Sequence, residues 1–598
     1  MDAPAQVSGH TILCGMDLLG LRIVEQLHGF GEAVVVVLHE HDARAEAVLD
    51  GWGIRYLVRG ASGATALTDA GIAAAASVVC VDPSDVVNLE TALVARRLRS
   101  DVRVVARLAN PVVRDAVAVD NGPGAVLAVA DLAAPSVVED CLRRAMHPVE
   151  VPGLDLVVAT DEVTQPGTLR EFYGDLGPIA VVSGVDNPYA GTAVPCPPRD
   201  TAVGPGDWAA VIGTPAELAA RGLAVSELMA PDRSRPHRRR HPFVRLRVGV
   251  AQLLDDVDPN FFRAVAVMAA LVLTSMILLR YTYSRPGMSF LDALYFSAET
   301  IATVGYGDFS FLGQPPLLRL YAIFLMVCGV TNTAVLVAFV SDLLVSRRLA
   351  HSVGRRRARM MRGQILLVGL GEVGIRVAAE LVAQGHEVVA IELEREHRNL
   401  DAAEKLGVAV VFGDGTQRDT LLAAGLERAA AVAILTSSEM ANIEVGLVVR
   451  ELLGDRWDDG AGHPSVPVVL RMFDLPLGRL VAKRFGFRNV RSTVELAAPW
   501  FIGAALGLDV LGTFTVWQDS FMVGAVTIES GGGLDGVRLR ELSPATRVVA
   551  IDHAAGDLER NPRRDSQFDA GDVAYIIGPY AELISMLRLG RAGAAAPG

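Results

Sequence analysis

Two long apolar runs bracket a glycine-rich hexapeptide near the middle of the 598-residue chain, and they constrain the fold more than any other feature. Phe261 to Leu279 is 19 residues, apolar apart from Arg263, Thr274 and Ser275. Leu320 to Val345 is 26 residues, interrupted by Thr331, Asn332, Thr333, Ser341 and Asp342. Roughly 20 apolar residues cross a bilayer core of about 30 Å, so each run is long enough. Two buried helices of a soluble core would pass the same length test, but the flanks decide against them. RSRPHRRRHPFVRLR (233–247) precedes the first run and RRLAHSVGRRRARMMR (347–362) follows the second. Basic flanks stay on the cytoplasmic side, so the connecting loop is expected outside and the rest of the chain inside. Lipid head groups suit these segments better than nucleic acid does, and the net charge of −13 also argues against a nucleic-acid partner.

The loop between the runs has its own pattern. SFLDALYFSAETIA (289–302) reads as a helix too short to cross, so the chain must enter the membrane and return. Non-helical backbone at membrane depth is tolerated where it lines a water-filled path. TVGYGD (303–308) fits there, because its two glycines allow dihedrals that turn successive carbonyls to one side. Rings of such carbonyls, with the Thr303 hydroxyl, can replace the water around a dehydrated K⁺. One chain supplies a quarter of a ring, so the pore requires four chains.

ALYFSAETIATVGYGD resembles the pore helix and selectivity filter of two-transmembrane bacterial K⁺ channels, a likeness running from Phe261 to Ala350. The resemblance implies that Thr303, Val304, Gly305, Tyr306 and Gly307 form the filter, the first four holding K⁺, with Asp308 at its outer mouth. It implies that Glu299 supports the filter from behind. It places Gly329 where family members carry a hinge glycine; a small residue for close helix packing is the alternative. Asp342 is expected near the cytoplasmic mouth, where it would concentrate cations. No arginine-repeat helix precedes the pore, so no voltage sensor of the familiar kind is expected.

The soluble sequence repeats itself once. HTILCGMDLLGLRIVEQLHGFGEAVVVVLHE (10–40) matches GQILLVGLGEVGIRVAAELVAQGHEVVAIEL (363–393) in layout. Each reads as an apolar strand, a glycine turn, an amphipathic helix, a glycine, and a second apolar strand ending in an acid. That pattern predicts βαβ units with buried parallel strands. Each copy is trailed by a β-rich segment, 149–221 and 510–590, with matching GPGD and DAGD turns. In the second copy VGLGEVG supplies Gly369, Gly371 and Gly374, with Glu372 and Val373 opening the helix, and Glu392 closes the next strand. In such a fingerprint Gly369 makes the turn, Gly371 lets the backbone approach a phosphate and Gly374 permits helix–strand contact. The helix N-terminus favours the anion. Glu392 suits ribose hydroxyls and disfavours a 2′-phosphate, so NAD(H) or an adenine nucleotide is expected rather than NADP.

Both copies resemble regulator-of-K⁺-conductance (RCK) domains, a Rossmann-like core followed by a smaller C-terminal lobe. By that resemblance Gly413, Asp414, Thr436 and Arg471 line the nucleotide cleft. The first copy departs: CGMDLLG puts Asp17 at the second glycine, and Gly60–Ala61 replaces the Gly–Asp pair. A carboxylate there repels a pyrophosphate, so a structural domain with an empty or altered cleft is expected.

The expected architecture is multidomain, an α-helical pore domain flanked by two α/β RCK domains, each with an α+β lobe. Its boundaries are 9–148 and 149–230 for the first core and lobe, and 231–259 for a basic linker. The pore takes 260–350, and the second core and lobe take 362–505 and 506–590. Within the linker PFVRLRVGVAQLL reads as an interfacial helix. Cys14, Cys80, Cys141, Cys196 and Cys328 lack CxxC spacing and read as reduced thiols. The N-terminus has no apolar segment resembling a signal peptide. No histidine-centred constellation accompanies either glycine turn, so an enzyme is not expected. The resulting expectation is a homotetrameric, nucleotide-gated K⁺ channel in a prokaryotic cell membrane, multi-pass, with both termini cytoplasmic. An RCK-regulated K⁺ uptake component is the alternative.

Overall fold

The computed structural model describes residues 8–58, 63–120, 122, 124–143, 146–184, 193–223, 259–284, 287–346, 351–457, 465–516 and 519–589. Gly60–Ala61, the first basic flank, residues 347–350 and nearly all of the 231–259 linker lie outside the described residues. Two compact units emerge: 1–232 with 354–598, and 233–353.

The first copy is a parallel sheet of β1 (Thr11–Cys14), β2 (Val34–Leu38), β3 (Arg55–Val58), β4 (Ser77–Cys80), β5 (Arg103–Arg107) and β6 (Gly124–Leu127). Its order is β3-β2-β1-β4-β5-β6, a doubly wound Rossmann arrangement. The central strands are buried on both faces, which explains their unbroken Val/Ile/Leu runs. Helix α1 (Leu18–Gly29) follows β1, and α2 (Val129–Cys141) follows β6.

The membrane-length unit holds α3 (Pro259–Thr282), α4 (Phe290–Ile301) and α5 (Pro316–Ser346). α3 and α5 outrun the apolar runs that predicted them, and both contain stretches long and apolar enough to cross a bilayer. α4 starts at a capping box, with Ser289 and Asp292 satisfying each other's backbone N–H groups. The Ser297 hydroxyl donates to Ser275 Oγ at 2.7 Å, tying α4 to α3. Asn332 Nδ2 donates to the Ala264 carbonyl at 3.1 Å, tying α5 to α3.

The second copy opens with α6 (His351–Met360). Its sheet is β7 (Ile365–Val368), β8 (Val388–Glu392), β9 (Ala409–Phe412), β10 (Ala431–Ile434), β11 (Val468–Met472) and β12 (Asn489–Ser492), ordered β9-β8-β7-β10-β11-β12. Helix α7 (Glu372–Ala383) follows β7, and α8 (Thr493–Leu506) follows β12.

The two copies trade helices. α2 leaves the first sheet and buries Ala134, Val137 and Val138 against Val373, Val377 and Leu381 of the second core. α8 reciprocates, placing Ala498, Phe501 and Ile502 in one cluster with Leu19, Ile23 and Leu27 of α1. Ion pairs repeat the symmetry: Arg22 Nε meets Glu495 at 2.7 Å, and Arg376 Nε meets Asp131 at 3.0 Å. Arg491, 7% exposed, pairs with Asp140 at 2.7 Å. Burial pushes the Asp140 carboxyl up, against the pull of the Arg491 guanidinium. The β-rich lobes share a core too, with Val158 and Ile179 beside Phe514, Phe521 and Ile577. Each lobe closes on the same device, an aspartate accepting N–H groups from a neighbouring turn: Asp207 from Gly184 and Gly204, and Asp572 from Ala554 and Asp569.

Candidate functional site

The hexapeptide follows α4 without a helical continuation. Backbone φ is positive at Thr303 (60°), Gly305 (58°) and Gly307 (83°), and at neither Val304 nor Tyr306. An alternation of this kind is what a carbonyl-lined filter requires, since it lets successive carbonyls face one side of the backbone. Glycine tolerates the left-handed region, whereas β-branched Thr303 is strained there. The Val304 N–H donates to the Glu299 carbonyl at 2.9 Å and the Thr303 N–H to the Thr300 carbonyl at 3.2 Å, anchoring the start of the loop. Tyr295 Oη donates to Asp308 Oδ2 at 3.2 Å, anchoring its end. Glu299 is 7% exposed, and its Oε2 is buried with no hydrogen-bond partner among the described residues. Gly329 lies inside a continuous α5, and a Cβ there would come 3.0 Å from Ile301 Cγ1, so the glycine packs closely against the end of α4. The backbone of Asp342 is helical; its side chain lies outside the described residues.

The two Rossmann clefts share one skeleton and differ in what fills it. Gly369 and Gly15 make the same left-handed turn, at φ 98° and 99°. A Cβ on Gly374 would collide with the Gly369 carbonyl oxygen, and one on Gly20 would come 2.7 Å from that of Gly15. The middle position is different. Gly371 has φ −60° and ψ −172°, open to any residue, and a Cβ there would meet nothing within 4 Å. Neither strain nor crowding requires glycine, which leaves a vacant space at the N-terminus of α7.

Around that space Arg471, from β11, donates weakly to the Leu435 and Thr436 carbonyls at 3.3 and 3.4 Å. Its guanidinium lies 4.5 Å from the centre of the Phe473 ring, and Nε is buried without a hydrogen-bond partner among the described residues. Burial pushes Arg471 down to about 10, Glu372 pulls it back up and Arg107 adds to the lowering. It is cationic at neutral pH. Glu392, the last residue of β8, accepts the Leu370 N–H at 2.8 Å through Oε2, and those of Leu393 and Glu394 through Oε1. Glu372 pairs with Arg398 at 2.6 Å. Thr436 donates its hydroxyl to Asn442 Oδ1 at 2.6 Å. Gly413 donates its N–H to the Glu392 carbonyl at 2.9 Å, and Asp414 Oδ1 accepts the Thr416 N–H at 2.9 Å. Val373 faces the core instead of the cleft.

In the first copy the equivalent space is taken. Asp17 Oδ1 accepts the Gly20 N–H at 2.9 Å, and Oδ2 meets Arg107 at 2.6 Å. Arg107 stands on β5 where Arg471 stands on β11, so the carboxylate answers the cation that an incoming anion would seek. The acid expected to close the second strand is also misplaced. Parallel registers align Val37 with Ile391, which puts buried Leu38 at the position of Glu392, while Glu40 lies two residues further on and is exposed. Asp82 replaces Thr436, its N–H donating to Asn88 Oδ1 at 2.8 Å.

A TrkA-N domain model matches residues 11–122 and 365–457, and an ion channel model matches 264–346. Two TrkA-N domains flank an ion-channel domain. A Trk system potassium uptake protein TrkA homolog of Pyrococcus horikoshii is 32% identical over 110 residues, 18% of this chain and 43% of that protein. The probable potassium channel protein 2 of Methanocaldococcus jannaschii is 24% identical over 200 residues, 32% of this chain and 57% of that protein. The chain thus spans about half the length of these curated relatives. Among solved structures, a GsuK channel is 16% identical with a TM-score of 0.50, over 98% of this chain and 80% of that one, which shows a shared fold.

Sequence reasoning missed the exchanged helices of the TrkA-N domains, although the chain carries the signal. LAAP occurs at 132–135 in α2 and at 496–499 in α8, preceded in each by the acid, Asp131 or Glu495, that pairs with the opposite copy. In the ion-channel domain it also missed Tyr295 and the Ser275–Ser297 bond, since a hydroxyl on an apolar helix gives no sign of its partner.

Proposed function

We propose that this chain forms a K⁺-selective channel of four copies, gated by a nucleotide that binds the second TrkA-N domain. The observation that carries the pore is the alternating φ at Thr303, Gly305 and Gly307, in a loop between a short helix and a membrane-length one. Carbonyls of Thr303, Val304, Gly305 and Tyr306 replace the hydration shell of K⁺, and Asp308 draws cations to the mouth. Val304 and Tyr306 are 51% and 71% exposed in the single chain, which suits burial by three further copies around the pore. Glu299 supports the filter from behind, and Asp342 enriches cations at the inner mouth. The basic flanks favour a prokaryotic cell membrane with both soluble domains cytoplasmic.

The regulatory ligand is NAD(H) or an adenine nucleotide. Its pyrophosphate takes the space above Gly371, against the N–H groups opening α7 and the buried Arg471 guanidinium, and Glu392 turns to a ribose hydroxyl. Gly413, Asp414 and Thr436 complete the cleft. The first domain, filled by Asp17, serves structure. A single filter segment per chain favours a channel over an uptake component, and the role is conduction and sensing, not catalysis.

Replacing Gly305 with Ala tests the pore. A Cβ in the left-handed region breaks the carbonyl ring, so K⁺ flux into liposomes is expected to vanish while the protein remains folded. A Gly305→Ala protein that conducts K⁺ normally would refute the pore.

A further inference from the structure

The two TrkA-N copies match position by position, but the seam between them carries different chemistry on its two sides. Arg107 and Leu127 are register partners in the first sheet, and Arg471 and Arg491 are partners in the second. Leu127 and Arg491 therefore stand at one position of the repeat. LAAP, at 132–135 in α2 and 496–499 in α8, aligns the exchanged helices and sets Asp140 level with Ala504. Where α2 crosses to the second copy, Asp140 meets Arg491 through two contacts. Arg491 Nε lies 2.7 Å from Oδ2, and Nη2 donates to Oδ1 at 2.8 Å. The two side chains are 7% and 14% exposed. Where α8 crosses to the first copy, Leu127 and Ala504 pack into one apolar cluster. One side of the seam is ionic and the other is apolar.

The neighbouring ion pairs are indifferent to which copy sits opposite. Arg22 and Arg376 share one position of the repeat, as do Glu495 and Asp131, so a cation meets an acid in any combination of copies. Arg491 and Asp140 behave otherwise. Two second copies would set each Arg491 against an Ala504, and two first copies would set each Asp140 against a Leu127. Every such contact buries a charge whose partner is missing. A buried ion pair adds little stability over a well-packed apolar pair, whereas a buried charge left alone disfavours its pairing by roughly a hundredfold or more.

We infer that the Arg491–Asp140 pair selects partners, making a first copy the obligatory neighbour of a second copy and excluding like-with-like pairing when several chains assemble. A cation and an anion divided between the copies attract each other across the seam, and each rejects its own kind. Every copy with the open space at Gly371 is thereby backed by one whose space is filled by Asp17.

The test uses the full-length protein in detergent, carrying Arg376→Cys and Glu495→Cys, with a short bismaleimide as cross-linker. In unlike pairs these two positions face Asp131 and Arg22. Between two second copies they face each other, and a denaturing gel then shows covalent dimers. The five natural cysteines set the background in every sample. With the native ion pair, monomers are expected. Asp140→Ala with Ala504→Asp moves the carboxylate to the other helix, so Arg491 finds an acid only in another second copy, and dimers are expected as the main product. Arg491→Leu with Asp140→Ala copies the apolar side onto both, and should keep the wild-type thermal transition while giving dimers where the native pair gives none. Monomers alone in this second variant overturn the inference, even where the first variant fails to fold. A lowered thermal transition in it also overturns the inference, since the pair would then hold the copies together without choosing between them.

Discussion

Gly371→Asp asks whether the vacant space in the second cleft is a ligand seat. The substitution should fold, because φ −60° suits any residue and its Cβ would touch nothing within 4 Å. The first copy already shows the outcome: Asp17, at φ −82° and ψ −171°, caps its helix and holds Arg107 at 2.6 Å. An aspartate at 371 is expected to take the same partners, the N–H groups opening α7 and the Arg471 guanidinium. It would thereby occupy the donors that a phosphate needs and set a negative charge against it. Two unit charges about 4 Å apart repel by about 4 kcal/mol at an effective dielectric of about 20. At about 1.4 kcal/mol per tenfold, that is roughly a thousandfold loss of affinity before screening by salt, and at least a hundredfold is expected after it. ADP and NAD⁺ binding is read by calorimetry and by thermal shift, where saturation at about 100 times Kd stabilises the wild type by about 2.7 kcal/mol. The variant should show no shift, remain assembled and K⁺-selective, and ignore nucleotide in bilayers. Asp17→Gly should keep the response. The full response in Gly371→Asp, together with its loss in Asp17→Gly, would refute the assignment and move the sensor to the first domain.

Other outcomes can be stated alongside. Asp140→Ala removes the carboxylate that neutralises Arg491, 7% exposed, and breaking such a buried pair costs about 3–5 kcal/mol; a lowered thermal transition is expected, and an unchanged one would show that the pair does not hold the copies together. His553 touches Asp572 at 3.1 Å and Glu559 at 3.5 Å. Burial pushes its pKa down, but the two carboxylates outweigh that and raise it. With the folded value raised, its stabilisation is complete below the ordinary histidine value near 6.5 and fades as pH climbs through the folded value. The second lobe should therefore unfold more readily at pH 8 than at pH 6, and His553→Gln should flatten that difference; an equal slope in wild type and variant would rule the cluster out. Tyr295→Phe removes the hydrogen bond to Asp308 and is expected to shorten single-channel openings while K⁺ selectivity persists, with unaltered open times counting against a tether at the filter mouth.

What could be read from the chain alone was local. The membrane helices, the short helix before the hexapeptide and the βαβ order of each copy follow from run length, period and glycine spacing, which act within a few turns of backbone. Gly369, Gly371 and Gly374 were legible for the same reason, and so was the departure at Asp17. The sequence does not show what answers each of these residues in space. Asp17 finds Arg107 ninety residues away, and Leu38 displaces the acid that the strand pattern promised, because parallel register decides which residue reaches the cleft. The reciprocal exchange of α2 and α8 belongs to tertiary structure too. Each helix is apolar toward a sheet that its own copy does not present to it, and only packing selects the other copy. The pairing of Arg491 with Asp140 is the same kind of fact, since an arginine on a buried strand gains its meaning from the carboxylate that stands opposite it.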